Sequence, residues 1–161
     1  MSTGLIVAIS VVIVAAWLYL NLRRNKKLLE AGRIIKRDSH FIESSETFTL
    51  SGGEFAKLVP ALQTMDITGT GVSWESKGAT QTVSFKSGNG WTAVLTALER
   101  GGEKYRYRFQ FTGWKTRNGA PLSEDTMNML LTSLEKAFLT LDPNTQVETE
   151  RFKTKSKTKF L

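Results

Sequence analysis

Cysteine is absent from this chain. That excludes disulfides, thiolate metal sites, iron–sulfur ligation and thiol catalysis, and it leaves the compartment open. Histidine occurs once, as His40, in a polar stretch between patterned segments, so a His–carboxylate or His–nucleophile pair inside a fold is not available. No Asp/Glu cluster falls at metal-coordination spacing. Glu124-Asp125 reads as first-turn helix chemistry, Glu99 and Glu103 flank a turn, and Asp66 and Glu75 stand apart. Ser51-Gly52-Gly53-Glu54 lacks the Gly-Lys-Ser/Thr ending of a phosphate loop. These absences point away from an enzyme, and no cofactor or metal is expected.

Charge is plentiful but unevenly placed. The formal total is +7; residues 23–37 carry +6, residues 38–150 carry −4 and residues 151–161 carry +5. A nucleic-acid domain carries its positive charge on the folded face that meets phosphate. Here the central body is acidic and the cations lie at its two ends, so no nucleic-acid partner is expected. Arg106 and Arg108 alternate with aromatics, a pattern that serves single-stranded RNA on an open sheet. The last helix is expected to claim the aromatic face and leave both arginines solvated.

One hydrophobic run stands out. Residues 5–22 read LIVAISVVIVAAWLYLNL, without charge and with Ser10 and Asn21 as the clearly polar members. As a helix, these residues span roughly 27 Å, close to the roughly 30 Å of a bilayer's hydrocarbon core. Leu5, Ile9, Val12 and Leu22 would face lipid, with Trp17 and Tyr19 at the interface. Arg23, Arg24, Lys26 and Lys27 follow directly, and no basic side chain precedes the run. The positive-inside rule then places the N-terminus outside and the remainder in the cytoplasm. A cleaved secretory signal needs a basic leading region and a small-residue cleavage site; Met1-Ser2-Thr3-Gly4 has no basic side chain, and apolar sequence continues beyond Ala15-Ala16. A buried core helix would rarely be apolar on every face.

Residues 23–38 continue as a helix weakened at Gly32, serving as a solvated stalk or as a lipid-binding or partner-binding segment. Thr47-Phe48-Thr49-Leu50 alternates as a first strand. Ser51 and Glu54 form a capping box for a helix carrying Phe55, Leu58, Val59 and Leu62, which Pro60 should kink or split. Short strands follow at Val72-Ser73-Trp74, residues 81–85 and Trp91–Glu99. A two-glycine turn at residues 100–103 leads to a return strand with Tyr105, Tyr107, Phe109 and Phe111 on one face. Pairing Arg100 with Glu103 sets Leu98 against Tyr105, Thr96 against Tyr107 and Val94 against Phe109. Ser123 caps a final helix whose stripe is Met127, Leu130, Leu131, Leu134, Ala137, Phe138 and Leu141, stopped by Asp142-Pro143-Asn144. Residues 147–152 offer a further edge strand.

The expected organisation is a transmembrane signal anchor (1–22), a basic juxtamembrane linker (23–42), an α+β domain (43–146) and a basic tail (147–161). The domain should be two-layered, with an antiparallel sheet of about five strands covered by two helices. Trp74, Trp91, Tyr105, Tyr107, Phe109, Phe111, Leu134 and Phe138 are candidates for the core or for the lining of an apolar pocket. Arg23, Arg24, Lys26, Lys27, Lys153, Lys155, Lys157 and Lys159 are candidate contacts for anionic lipid. The expected function is a membrane-anchored, non-catalytic interaction module or membrane-complex component with a protein partner. The alternative is a small-molecule or lipid binder with its pocket between sheet and last helix.

Overall fold

A computed structural model describes residues 3–38, 40–99 and 104–152. The chain forms two compact units, Met1–Lys36 and Arg37–Leu161. The first is dominated by helix α1, Thr3–Glu30. Ser10, the polar residue within its apolar stretch, donates its hydroxyl proton to the Ile6 carbonyl at 2.9 Å, which satisfies that hydroxyl within the helix. The helix ends sooner than the sequence reading has it. Gly32 adopts φ +63°, its N–H reaches the Leu29 carbonyl at 2.9 Å, and the Arg33 N–H reaches Leu28 at 2.9 Å. This is a left-handed glycine cap with the paired hydrogen bonds of a Schellman motif. Gly32 therefore terminates the helix instead of merely weakening it.

The second unit is α+β. Strand β1 (Ser44–Leu50) is followed by helix α2 (Phe55–Gln63) and strands β2 (Val72–Lys77), β3 (Thr82–Ser87), β4 (Trp91–Glu99) and β5 (Tyr105–Trp114). A small ribbon, β6 (Thr116–Arg117) and β7 (Ala120–Pro121), precedes helix α3 (Glu124–Leu141) and strand β8 (Gln146–Arg151). The main sheet has six strands in the order β2-β3-β4-β5-β1-β8, and every pairing is antiparallel. β8 extends past the expected domain end at 146 and lies at the edge beside β1.

One sheet face is covered by α2 and α3, which also pack on each other. Strand alternation assigns the residues: Phe48 and Leu50, Val83 and Phe85, Trp91, Ala93, Leu95 and Ala97, and Tyr107, Phe109 and Phe111 are buried. Leu58 and Leu62 come down from α2; Met127, Leu130, Leu131, Leu134, Ala137 and Phe138 come from α3. Each large side chain so buried contributes roughly 1.5–3 kcal/mol, which is what holds the two layers together.

Several local expectations differ from the structure. The β4–β5 register is Ala97 against Tyr107, Leu95 against Phe109 and Ala93 against Phe111, one residue away from the pairing that a tight turn would impose. The reason is facial. β5's aromatics need partners on the core face, and β4's core-facing residues are the odd-numbered Trp91, Ala93, Leu95 and Ala97. An irregularity between Ala97 and Glu99 absorbs the slip; the expected turn at 100–103 lies outside the described residues. The Ser51 capping box does not form: α2 is preceded by Glu54 without a side-chain cap, and the Ser51 N–H donates instead to Asp142 Oδ2 at 2.8 Å. Pro60 does not split α2; its missing N–H frees the carbonyl of Ala56, an exposed residue. Ser123 occupies the N-cap position of α3 but makes no side-chain cap bond.

Candidate functional site

α1 presents the first candidate surface. Leu5, Ile9, Val12, Trp17, Tyr19 and Leu22 are all exposed, and none of the helix's most apolar 18-residue window is buried. It is the one helix among the described residues long and apolar enough to cross a membrane. Arg23, Arg24, Lys26 and Lys27 continue on the same helix, toward its C-terminal end, where the helix dipole favours cations. The candidate lipid contacts Lys153, Lys155, Lys157 and Lys159 lie outside the described residues.

In the second unit, most of the candidate pocket residues pack against one another. Phe138 stacks on Phe48 with ring centroids 4.2 Å apart and tilts against Tyr107 at 5.6 Å. Phe109 meets Phe111 edge-on at 5.1 Å, and Trp91 meets Phe111 at 5.7 Å. Trp91 donates its Nε1–H to Thr126 Oγ1 at 3.0 Å, which satisfies its only polar atom. The Tyr107 hydroxyl donates to the Gly53 carbonyl; burial, followed by Tyr105 and Glu54, pushes its pKa up to about 12. Trp74 and Tyr105 are half-buried at the margin of this core. Beside Tyr105 an open cleft of about 650 Å³ is lined by Phe55, Val59, Ser76 and Gln81, among others.

A buried ionic cluster was missed by the sequence reading. Arg37 Nη1 lies 3.1 Å from Glu46 Oε1, and Arg37 Nη2 lies 2.6 Å from Glu135 Oε2. Arg37 Nε donates to Asn128 Oδ1 at 3.1 Å, an atom that also accepts from the Thr132 hydroxyl at 3.1 Å. The guanidinium carbon lies 5.9 Å from the Phe41 ring centroid. The side chains of Arg37, Glu46 and Glu135 are only 10%, 6% and 19% exposed, and Glu46 Oε2 is buried without a hydrogen-bond partner. Burial and then the neighbouring Glu135 push the Glu46 carboxyl up to about 7, against the pull of Arg37. The signal was present in the sequence. Extending the Thr47-Phe48-Thr49-Leu50 alternation back by one residue puts Glu46 on the inward face with Phe48 and Leu50. Asn128, Thr132 and Glu135 recur at helical spacing along the flank of α3's apolar stripe.

The sheet face away from the helices is polar. Arg106, Arg108 and Gln110 are half-buried there, while Thr92 and Thr112 are exposed and joined by a 3.0 Å hydroxyl contact. Arg106 Nη1 lies 3.2 Å from Glu99, and Arg108 Nη2 lies 3.8 Å from Glu150. Ser45 and Thr47 are buried between the longer side chains of β5 and β8. Among the described residues no group of three or more His, Asp or Glu is placed to hold a metal ion. No protein-family model matches the chain, and no curated protein matches it.

Proposed function

We propose that this is a single-pass membrane protein whose α1 spans the bilayer with its N-terminus outside, holding the α+β unit in the cytoplasm as a non-catalytic interaction module or a component of a membrane complex. The observation that carries the reading is the exposed, charge-free stretch of α1 with Arg23, Arg24, Lys26 and Lys27 at one end alone. Leaving a large apolar side chain in water forgoes roughly 1.5–3 kcal/mol, and the stretch exposes many of them. Lipid removes that cost, and a helix satisfies its own backbone there. The basic cluster then meets anionic headgroups, each cation contributing about 1 kcal/mol.

An interaction role for the α+β unit is supported by what it leaves uncovered. One sheet face carries mixed charge and half-buried arginines, and β2 and β8 each present an outer edge of backbone donors and acceptors. A ligand pocket between sheet and α3 has less support, because the Phe138–Phe48 stack fills that interface. The test is extraction of membranes from cells expressing the full chain. The protein should resist alkaline and high-salt washes and dissolve only in detergent. Photo-crosslinkers placed at Lys77 and Thr149, on the two edges, should then trap discrete protein adducts. Release by salt alone would overturn the span, and a co-purifying lipid without protein adducts would overturn the interaction role.

A further inference from the structure

We propose that Glu46 and Glu135 hold one proton between them up to about neutral pH while Arg37 clamps the resulting singly charged pair, making a clasp that loosens as pH rises. The inference is independent of the membrane reading, because every member lies within the second unit.

The geometry is that of two anions on one cation. Two nitrogens of the same guanidinium serve the two carboxylates, at 3.1 and 2.6 Å, so full ionisation would leave a net negative charge in a site nearly closed to water. Such a site favours the neutral form of one carboxyl group. The hydrogen bonds point the same way. Glu46 Oε2 is buried and has no donor, and Glu135 is the neighbouring carboxyl group. Two ionised carboxylates are both acceptors only, whereas a proton on Glu46 turns one acceptor into a donor.

Among the described residues, the charged groups that act on Glu46 are Arg37 and Glu135. Across the sheet it lies beside Phe109 on β5 and Thr149 on β8, neither of which titrates as a carboxyl group. The nearby acids in sequence have their own partners at the surface: Glu43 lies 3.6 Å from His40, and Asp38 lies 2.6 Å from Arg151. Asn128 offers Arg37 a carbonyl oxygen and carries no charge.

The direction of the pH effect follows. The folded chain retains a proton up to about 7 that an ordinary glutamate releases near 4.5. The contribution of the Glu46 proton to stability is therefore complete below about 4.5, falls as pH rises toward about 7, and stays reduced above it. Arg37 is the first residue of the second unit. The clasp fastens that entry point to β1 and α3, so its protonation state sets how firmly the chain leaving the linker is held.

The test is infrared difference spectroscopy of the full-length protein in detergent micelles, titrated from about pH 5 to about pH 9. The wild type should show the carbonyl band of a buried protonated carboxyl group that disappears with a midpoint near 7, and Glu46→Gln should lack it. Glu135→Gln, which removes the second negative charge, should move the midpoint down by about one unit or more. A wild-type protein without a protonated carboxyl band above about pH 5.5 would overturn the proposal. So would a Glu135→Gln midpoint equal to that of the wild type, or a band that survives in Glu46→Gln. Should Glu46→Gln fail to fold, the wild type and Glu135→Gln still decide the matter.

Discussion

Phe138 and Leu134 show what single positions on α3 do for the second unit. Both are fully buried, and Phe138 touches aromatic rings from two neighbouring strands, Phe48 of β1 and Tyr107 of β5. A truncation there opens a cavity that neither the sheet nor α2 can fill without moving. Leu134→Ala should cost about 2–5 kcal/mol, a large share of the roughly 5–15 kcal/mol typical of a domain, and chemical denaturation of the variant would read it directly. An unchanged denaturation midpoint would contradict the packing described. Polar positions also shape the fold. Asp142 closes α3 by accepting the Ser51 N–H at 2.8 Å and the Asn144 N–H at 2.9 Å, and these bonds hold its carboxyl below the usual aspartate range. In the sequence, Ser51 looks like a helix cap because it stands three residues before Glu54. It does not show that a carboxylate from the far end of the chain will take the Ser51 N–H. Glu46 is the converse case: its inward position follows from period-two alternation, but its partners are Arg37, nine residues earlier, and Glu135, from the distant helix α3.

At the scale of elements, what was legible depended on whether a local pattern had a competitor. The α3 stripe from Met127 to Leu141 has none, and its apolar residues lie in or against the core. β5 likewise buries Tyr107, Phe109 and Phe111 as its alternation requires. In the β4–β5 register, the pairing a tight turn implies and the facial demand disagree, and an irregularity between Ala97 and Glu99 lets the facial demand win. The β6–β7 ribbon is too short to show a strand pattern, but its turn, Asn118-Gly119, has both residues at positive φ, 52° and 79°, the conformation that this dipeptide favours. The composition of β8, Gln-Val-Glu-Thr-Glu-Arg, lacks a buried face and marks it as no more than an edge; pairing to β1 alone brings it into the sheet. Gly32 yields an element-level prediction. Any side chain at φ +63° is strained, at about 1 kcal/mol, so Gly32→Ala should loosen the α1 cap. Amide exchange at Gly32 and Arg33, where the cap hydrogen bonds form, should speed by about fivefold, and unchanged exchange would show that the cap does not depend on glycine.

For the molecule as a whole, two opposing titrations shape stability. Asp38 and Asp142 are held below the ordinary aspartate value of 3.8, chiefly by backbone hydrogen bonds from His40 and Ser51 respectively. Their contribution is present above that value and is lost as pH falls through their lowered values. Glu46 acts in the other direction between about 4.5 and about 7. The thermal midpoint of the full chain should therefore be highest near pH 4–5 and lower on both sides, about where the two windows meet, and in Glu46→Gln the decline toward neutral pH should flatten. A midpoint that rises steadily from pH 5 to pH 8, about the range over which most proteins are steadiest, would contradict this. The larger division is between α1, apolar and exposed, and the α+β unit that follows it, whose residues 38–150 carry −4. The most direct test of the proposed span and its orientation exploits the absence of native cysteine: single cysteines at Thr3 and Glu75, probed with a membrane-impermeant maleimide. In intact cells Thr3→Cys should be labelled, with Glu75→Cys reacting only after the membrane is opened. Labelling of Glu75→Cys in intact cells would place the α+β unit outside and contradict the orientation.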